Sequence, residues 1–304
     1  MKKRKGLIKH KNLSGAAFSV QSIIAIVLTI VFPLVFSFIL SLTDIRFSLN
    51  GNINFVGFDN YSWVFREESS HFFKATGISV LFSFVSTLVQ TFLGFLLGMM
   101  LYFLTPKLQG FFKTLIYIPV ILPSAVISAM WVMIYSGDQY GILNIILGLS
   151  DTPVQWLSNP LSGFICLIVT NTWRYVGMTT VIYLVGLSSV DKEVIESAKT
   201  EGANNWQIMW RLLLPLTWSS TVLNVLLSLI GGVKSFDLFY LFQTSGNLSS
   251  ELTPIALLIY QIGLGNKDVR NINLGRSLAM SISLAFILAC LTILVKKIVS
   301  RKDS

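Results

Sequence analysis

The sequence predicts an all-α polytopic membrane protein with about six transmembrane helices, and two observations support that prediction. Hydrophobic residues make up 53% of the 304-residue chain and charged residues only 12%, whereas soluble domains carry about 25% charged residues. The apolar residues are gathered in long runs, such as the charge-free run from 22 to 42, and the mean hydropathy is +0.70. The chain therefore lacks the polar surface of a soluble globular protein.

The N-terminal segment, 1–21, is a basic region that we expect to stay in the cytoplasm. It carries six lysines and arginines and no acidic residue, and the first predicted span, 22–43, follows it. A basic segment before an apolar run is also typical of secretory signal peptides, but this run is of full membrane-spanning length and no convincing cleavage site follows. We therefore expect a retained span that runs outward.

Five further apolar runs complete the predicted transmembrane permease domain, 22–304. Their approximate bounds are 77–104, 114–135, 162–187, 217–242 and 277–295. In the second span, Gly94 and Gly98 have the spacing that lets another helix approach closely, and packing within the subunit is favoured over a dimer interface. In the third span, Pro119 and Pro123 should kink the helix.

The distribution of basic residues sets the predicted orientation. Fifteen of the 23 lysines and arginines fall on segments that this topology places inside, six fall outside, and Arg174 and Lys234 lie within spans. Because cytoplasmic loops are enriched in basic residues, both termini and the loop 188–216 should face the cytoplasm. The same clustering beside apolar spans explains the net charge of +9, so we expect no nucleic-acid partner. The predicted external segments are 44–76, 136–161 and 243–276.

The loop 188–216 is the one segment of high charge density between long apolar blocks. Apolar residues recur at helical spacing in its first half, and Ser188 and Asp191 have the spacing of a capping box. Gly202 can then end one helix before a second begins. The sequence therefore predicts two short helices joined by a sharp turn, with Pro215 at the junction to the fifth span.

Seven residues of this loop also fit a fixed pattern. The pattern is E-A-A, three residues, G, nine residues and I-x-L-P, and its positions here are Glu196, Ser197, Ala198, Gly202, Leu212, Leu214 and Pro215. It resembles the EAA loop of ATP-binding-cassette (ABC) importer permeases, with Ser197 in place of Ala and Leu212 in place of Ile. The alternative is an ordinary solvated linker that contains a helix. The resemblance implies the type I ABC importer permease fold, with these seven residues in the ATPase-coupling loop.

Other stretches are similar to the carbohydrate-uptake branch of this family, and within it to the first permease of the usual heterodimer. They are residues 57–65, the G-x-x-N pattern at 141–144, the Trp173-Arg174 pair and the end of the fifth span at 236–246. The stretch 236–246 is similar to the family pattern F-D-x-x-x-x-L-T-x-G-G-P but lacks its proline. The resemblance implies a second permease, two cytoplasmic ATPase subunits and an extracellular solute-binding protein that delivers a sugar or oligosaccharide.

The sequence contains no motif for ATP hydrolysis or for proteolysis. The G-x-x-x-x-G-K-[ST], H-E-x-x-H and G-x-S-x-G patterns do not occur in it, so any ATP and Mg must be bound by partner ATPase subunits. Cys166 and Cys290 lie in apolar blocks without metal-type spacing, and neither a metal site nor a disulfide is expected. We expect a transport subunit rather than an enzyme, in the plasma membrane of a prokaryote.

Polar and aromatic residues of spans four and five are the candidate substrate pathway. A sugar needs aromatic faces for its ring and hydrogen-bond partners for its hydroxyls, in a site screened from lipid. Helix–helix adhesion is the alternative role for each of these residues. The candidates are Asn171, Trp173, Tyr175, Asn224, Ser228 and Tyr240.

Three ionisable residues are predicted to lie within spans: Arg174, Lys234 and Asp237. Lys234 and Asp237 are three residues apart, the spacing at which residues of one helix can pair, so we expect a gate or a structural role for them rather than ligand contact. Intramembrane charges also raise the alternative of an ion-coupled secondary transporter of a small polar solute. A scaffold without transport is a third possibility. An importer gene should lie beside genes for a second permease and a lipoprotein.

Overall fold

The computed structural model describes residues 20–46, 53–265 and 272–300. Among these residues the only extended pairing is an isolated antiparallel bridge between Thr43 and Phe55, so the described part of the chain is all-α, as predicted. In chain order the helices are α1 (Val20–Ser41), α2 (Asp59–Arg66), α3 (Ser69–Tyr102), α4 (Pro106–Ile121), α5 (Ser124–Ile134), α6 (Ile142–Ile146), α7 (Pro160–Ser188), α8 (Lys192–Thr200), α9 (Asn205–Leu216), α10 (Trp218–Val233), α11 (Asp237–Ser245), α12 (Ile255–Leu264) and α13 (Leu274–Ser300).

Several of these helices are apolar enough to cross a membrane. By length and composition, α1 and α3 can each do so alone, and the bent pairs α4–α5 and α9–α10 each qualify if the pair counts as one span. Helix α7 coincides with the predicted fourth span, 162–187, and α13 includes the predicted sixth, 277–295. The bounds of the six spans stay predictions, because helix ends alone do not fix where a membrane lies.

The predicted third span is broken rather than kinked. Helix α4 ends at Ile121, Leu122 has the extended backbone angles φ −66° and ψ 139°, and α5 leaves at an angle of 95°. The cause is Pro123, because its ring pushes the preceding residue out of the helical region. Pro119, for which the sequence predicted the same effect, is accommodated inside α4.

The segment after the fifth predicted span is more helical than the sequence analysis expected. The span 217–242 is divided between α10 and α11, and the external segment 243–276 contains α12. The residues of α12 form a short apolar run that ends at Gly265, which has a φ of +87°. Ten residues are too few to span a membrane alone.

The described residues form two compact units, the first from 20–46, 53–69, 259–265 and 272–286 and the second from 70–258 and 287–300. In the first unit, Asn60 of α2 is buried and its Nδ2 donates to the carbonyl oxygens of Ser41 and Thr43, at 2.7 and 2.8 Å. Nearby, the backbone N–H of Asn54 donates to the Asp44 carboxylate at 2.6 Å, and this bond holds the pKa of that carboxyl below its ordinary value. These bonds join the end of α1 to α2.

In the second unit, Asn144 organises the loop between α5 and α7. Its side chain is fully buried, and Nδ2 donates to the carbonyl oxygens of Ser136 and Asp138, both at 3.2 Å. Its Oδ1 accepts from Trp156 Nε1 at 2.9 Å and from the backbone N–H of Val154 at 3.2 Å. One amide therefore satisfies polar groups from both ends of the loop, which accounts for the asparagine of the G-x-x-N pattern.

Helix α7 packs closely against α3 and α4, and glycines allow the approach. A Cβ at Gly94 of α3 would overlap the side chain of Thr179 on α7, so the Gly94-x-x-x-Gly98 motif is used within the subunit, as the sequence favoured. On α7 itself, a Cβ at Gly177 would overlap the backbone carbonyl oxygen of Ile116 in α4. Neither neighbour is the flexible end of a long side chain, so neither can move aside at low cost.

We predict that Gly94→Ala destabilises the protein by about 1–3 kcal/mol, because the added methyl overpacks the α3–α7 contact. Gly77→Ala is the matched control on the same helix, since no atom lies within 4 Å of a Cβ at that position. It should be neutral or slightly stabilising, because alanine favours helix more than glycine does. Thermal unfolding of both variants in detergent measures the difference, and equal midpoints would contradict this packing argument.

Candidate functional site

A cavity of about 330 Å³ lies in the second unit, between α3, α7, α10 and the segment that joins α10 to α11. Four of the six candidate pathway residues line it: Asn171, Tyr175, Asn224 and Ser228. The three ionisable residues predicted within spans also line it: Arg174, Lys234 and Asp237. Residues from α7 and α10, far apart in the chain, thus contribute to one polar cavity.

The other two candidates, Trp173 and Tyr240, do not line the cavity. Trp173 packs edge-on against Trp131, with ring centroids 5.7 Å apart, and Tyr240 stacks on Phe236 at 5.3 Å. The helical period explains the exclusion of Trp173, because positions 171, 174, 175 and 178 share the face of α7 that lines the cavity. The structure therefore gives these two aromatic side chains packing contacts.

Gln90 of α3 is a lining residue that the sequence analysis missed. It is 3% exposed, its Nε2 donates to the carbonyl oxygen of Asn171 at 3.4 Å, and its Oε1 accepts from Ser228 Oγ at 3.3 Å. Close by, Asn224 Nδ2 lies 3.5 Å from the carbonyl oxygen of Thr179. A lone amide within an apolar span was the available signal, since such groups rarely face lipid.

The charged side chains of the cavity are connected differently from the prediction. Arg174 Nη2 donates to Ser124 Oγ at 2.9 Å, and Ser124 Oγ donates to Asp237 Oδ2 at 2.9 Å. Lys234 and Asp237 do not form the expected pair: among the residues that the structure describes, no ion pair joins them. The reason is that α10 ends at Val233 and α11 begins at Asp237, so the two residues do not share one helix.

The loop 188–216 folds as two short helices, α8 and α9, joined by a turn at Gly202. Gly202 has a φ of +87°, which ends α8, and Asn204 begins α9 with a capping box that it forms with Gln207. At the start of α8, Asp191 Oδ1 accepts from the backbone N–H of Glu193 at 3.1 Å. The predicted capping role of Ser188 was wrong, because its hydroxyl donates to the carbonyl oxygen of Leu184 in α7.

The inner face of this loop packs onto the ends of α3 and α7. A buried cluster joins residues of the loop to residues of those two helices: Phe95, Met99, Tyr183, Leu187, Ile195, Ile208 and Leu213. Of the seven motif residues, Ala198, Leu212 and Leu214 pack against the cluster, and the others are exposed: Glu196, Ser197, Gly202 and Pro215. The motif thus divides into an anchoring set and a set on the outer face.

The chain is similar to known transport proteins. Residues 90–304 match the family model described as "Binding-protein-dependent transport system inner membrane component". The chain is 30% identical over 275 residues to the probable ABC transporter permease protein y4oQ of Sinorhizobium fredii, covering 90% of this chain and 85% of that protein. It is 26% identical over 265 residues to the arabinooligosaccharides transport system permease protein AraP of Bacillus subtilis, covering 86% and 82%.

A solved structure shows the same fold. The chain matches a chain of the bacterial alginate ABC transporter in complex with an alginate pentasaccharide-bound periplasmic protein, with a TM-score of 0.77 over 96% of both chains. The sequence identity is 19%, so this likeness concerns the fold alone. The permease fold that the coupling-loop pattern implied is therefore confirmed.

We predict that Ser124→Ala destabilises the second unit by roughly 0.5–1.5 kcal/mol, because it removes the hydroxyl that is hydrogen-bonded to both Arg174 and Asp237. Ser128→Ala is the matched control on α5. The Ser128 hydroxyl is buried and has no hydrogen-bond partner in the described structure, so its removal should be neutral or stabilising. Thermal unfolding of the two variants tests this, and a larger loss for Ser128→Ala would refute the bridging role.

Proposed function

The chain belongs to the family of binding-protein-dependent transport system inner membrane components, and on that premise we propose that it forms, with a second permease, the import pathway for a sugar or oligosaccharide. It is a multi-pass permease subunit of an ABC importer. In this role the chain is a transport subunit and not an enzyme. An extracellular solute-binding protein delivers the substrate, and two cytoplasmic ATPase subunits bind ATP and Mg. The relative named for arabinooligosaccharide transport supports the sugar class.

The observation that carries this proposal is that the same helices line the cavity and adjoin the loop 188–216. Helices α7 and α10 both line the cavity, and both lead into the loop 188–216, one ending at Ser188 and the other beginning at Trp218. Since Ile195 and Ile208 of the loop pack in one cluster with Tyr183 of α7, we expect displacement of the loop to displace α7, which lines the cavity. ATP hydrolysis in the ATPase subunits that contact the loop can thus open or close the pathway.

The outer face of the loop is the proposed contact with an ATPase subunit. Glu196 and Ser197 are exposed on α8, and no ion pair reaches the Glu196 carboxylate among the residues described. This carboxylate is therefore available for a basic residue of the ATPase. The alternative of an ion-coupled transporter has less support, because Asp237, its candidate coupling residue, accepts a hydrogen bond from Ser124.

The first prediction from this function concerns Gly202. A Cβ there would meet no atom within 4 Å, so a substitution costs backbone strain rather than a clash, on the order of 1–2 kcal/mol. Gly202→Val should leave folding and membrane insertion intact but alter the turn and uncouple transport from ATP hydrolysis. Gly202→Asn should retain most transport, because asparagine tolerates a positive φ.

The measurement is sugar uptake and ligand-stimulated ATP hydrolysis in proteoliposomes that contain the second permease and the ATPase subunits, with the binding protein added. Equal, wild-type coupling in Gly202→Val and Gly202→Asn would contradict the role of the turn. If no sugar in a broad panel stimulates ATP hydrolysis by the wild-type complex, the proposed substrate class is wrong.

The second prediction concerns orientation: we propose that the termini and the loop 188–216 face the cytoplasm of a prokaryotic cell. In a variant without Cys166 and Cys290, Lys199→Cys on exposed α8 should resist an impermeant maleimide in intact cells and react after permeabilisation. Thr152→Cys, on the exposed loop before α7, should react in intact cells. Labelling of Lys199→Cys from outside would refute this topology.

A further inference from the structure

The charges that line the cavity do not cancel. Arg174 and Lys234 are cationic and Asp237 is anionic, and the lining contains no other charged side chain. At neutral pH the cavity therefore has an excess of one positive charge. Lys234 and Asp237 are both exposed, so these charges are open to a ligand in the cavity rather than buried.

The hydrogen bonds show which cation lacks a counter-charge. Asp237 is connected to Arg174 through Ser124, with both bonds 2.9 Å long. The side chain of Lys234 has no hydrogen bond or ion pair with any residue in the described part of the chain, whereas Arg174 is bonded to Ser124. The cavity thus presents one unpaired ammonium group, directly after the end of α10.

The remainder of the lining suits the neutral part of a sugar. Gln90, Asn171 and Asn224 provide amide groups for hydroxyls, and the rings of Tyr175 and Phe236 provide apolar faces. The volume of about 330 Å³ lies at the lower end of the range for ligand pockets, roughly 300–1,000 Å³, and suits about one or two sugar rings. A ligand with an anionic group beside Lys234 would balance the charge of the lining.

From this arrangement we infer that the cavity takes an acidic saccharide, a sugar that carries a carboxylate. The carboxylate contacts the ammonium group of Lys234, and the hydroxyls contact the amides of α3, α7 and α10. A neutral sugar of the same size forms no charge pair with Lys234 and so binds more weakly. This inference rests on the proposed function and specifies its substrate class.

The test measures equilibrium binding to the assembled complex of permeases and ATPases without the binding protein, so that the affinity belongs to the permease site. The probes are an aldobiouronic acid, which has one carboxylate, and the matching neutral disaccharide. The wild-type complex should bind the acid roughly tenfold or more tightly, as expected for a hydrogen-bonded charge pair. Lys234→Gln should abolish this preference, because it lowers the affinity for the acid much more than the affinity for the neutral probe.

Two controls accompany the test. Lys234→Arg should keep the preference, because it keeps the charge, and Lys107→Gln, which removes an exposed lysine of α4 outside the cavity, should behave as wild type. Equal binding of the two probes by the wild-type complex, or no binding of the acid at millimolar concentration, overturns the inference without need of any variant. An equal loss of both probes in Lys234→Gln also overturns it.

The failure of this inference can be told from that of the proposed function. A complex that binds and imports the neutral sugar but rejects the acid remains a sugar permease and refutes only the acidic class. A complex whose ATP hydrolysis responds to no sugar refutes both.

Discussion

The second unit depends on the close packing of α7 against its neighbours. In lipid there is no hydrophobic driving force between helices, so contact must come from van der Waals fit and hydrogen bonds. Glycines provide that fit at two crossings, Gly94 against Thr179 and Gly177 against the backbone at Ile116. Because α7 is held on both sides, its cavity face and its C-terminal end act as parts of one rigid element. The cavity and the loop 188–216 are both built on it.

The polar part of the cavity follows from two interruptions in otherwise apolar helices. Pro123 ends α4 and places Ser124 at the start of α5, and the break after Val233 places Asp237 at the start of α11. The carboxylate of Asp237 is favourable there, because the first turn of a helix carries partial positive charge. Arg174 of α7 reaches the same point through Ser124. The broken spans thus bring charged groups together at a place where continuous helices would separate them.

The loop 188–216, which we propose as the contact with the ATPase, contains two sets of motif residues that alternate along its sequence. One set of residues anchors the loop on the cluster around Tyr183, and the other set, including Glu196, remains exposed. Anchoring without exposure would leave nothing for an ATPase to contact, and exposure without anchoring would transmit no force. Gly202 separates the two helices without contacting any neighbour, so its contribution is the direction of the turn.

The sequence by itself determined the fold class, the family and the two-helix form of the coupling loop, because composition, charge distribution and motif spacing are local or additive properties. It also pointed to Asn171, Tyr175, Asn224 and Ser228, which line the cavity, since polar residues in apolar spans are recognisable without coordinates; their role in a substrate pathway stays a prediction. Only the tertiary structure decided that Gln90 joins them and which face of α7 lines the cavity, and the helical period then excludes Trp173. It likewise decided that Asp237 bonds to Ser124 rather than pairing with Lys234. These outcomes depend on where helices break and which faces meet across more than a hundred residues of chain, and sequence spacing describes neighbours only within one continuous helix.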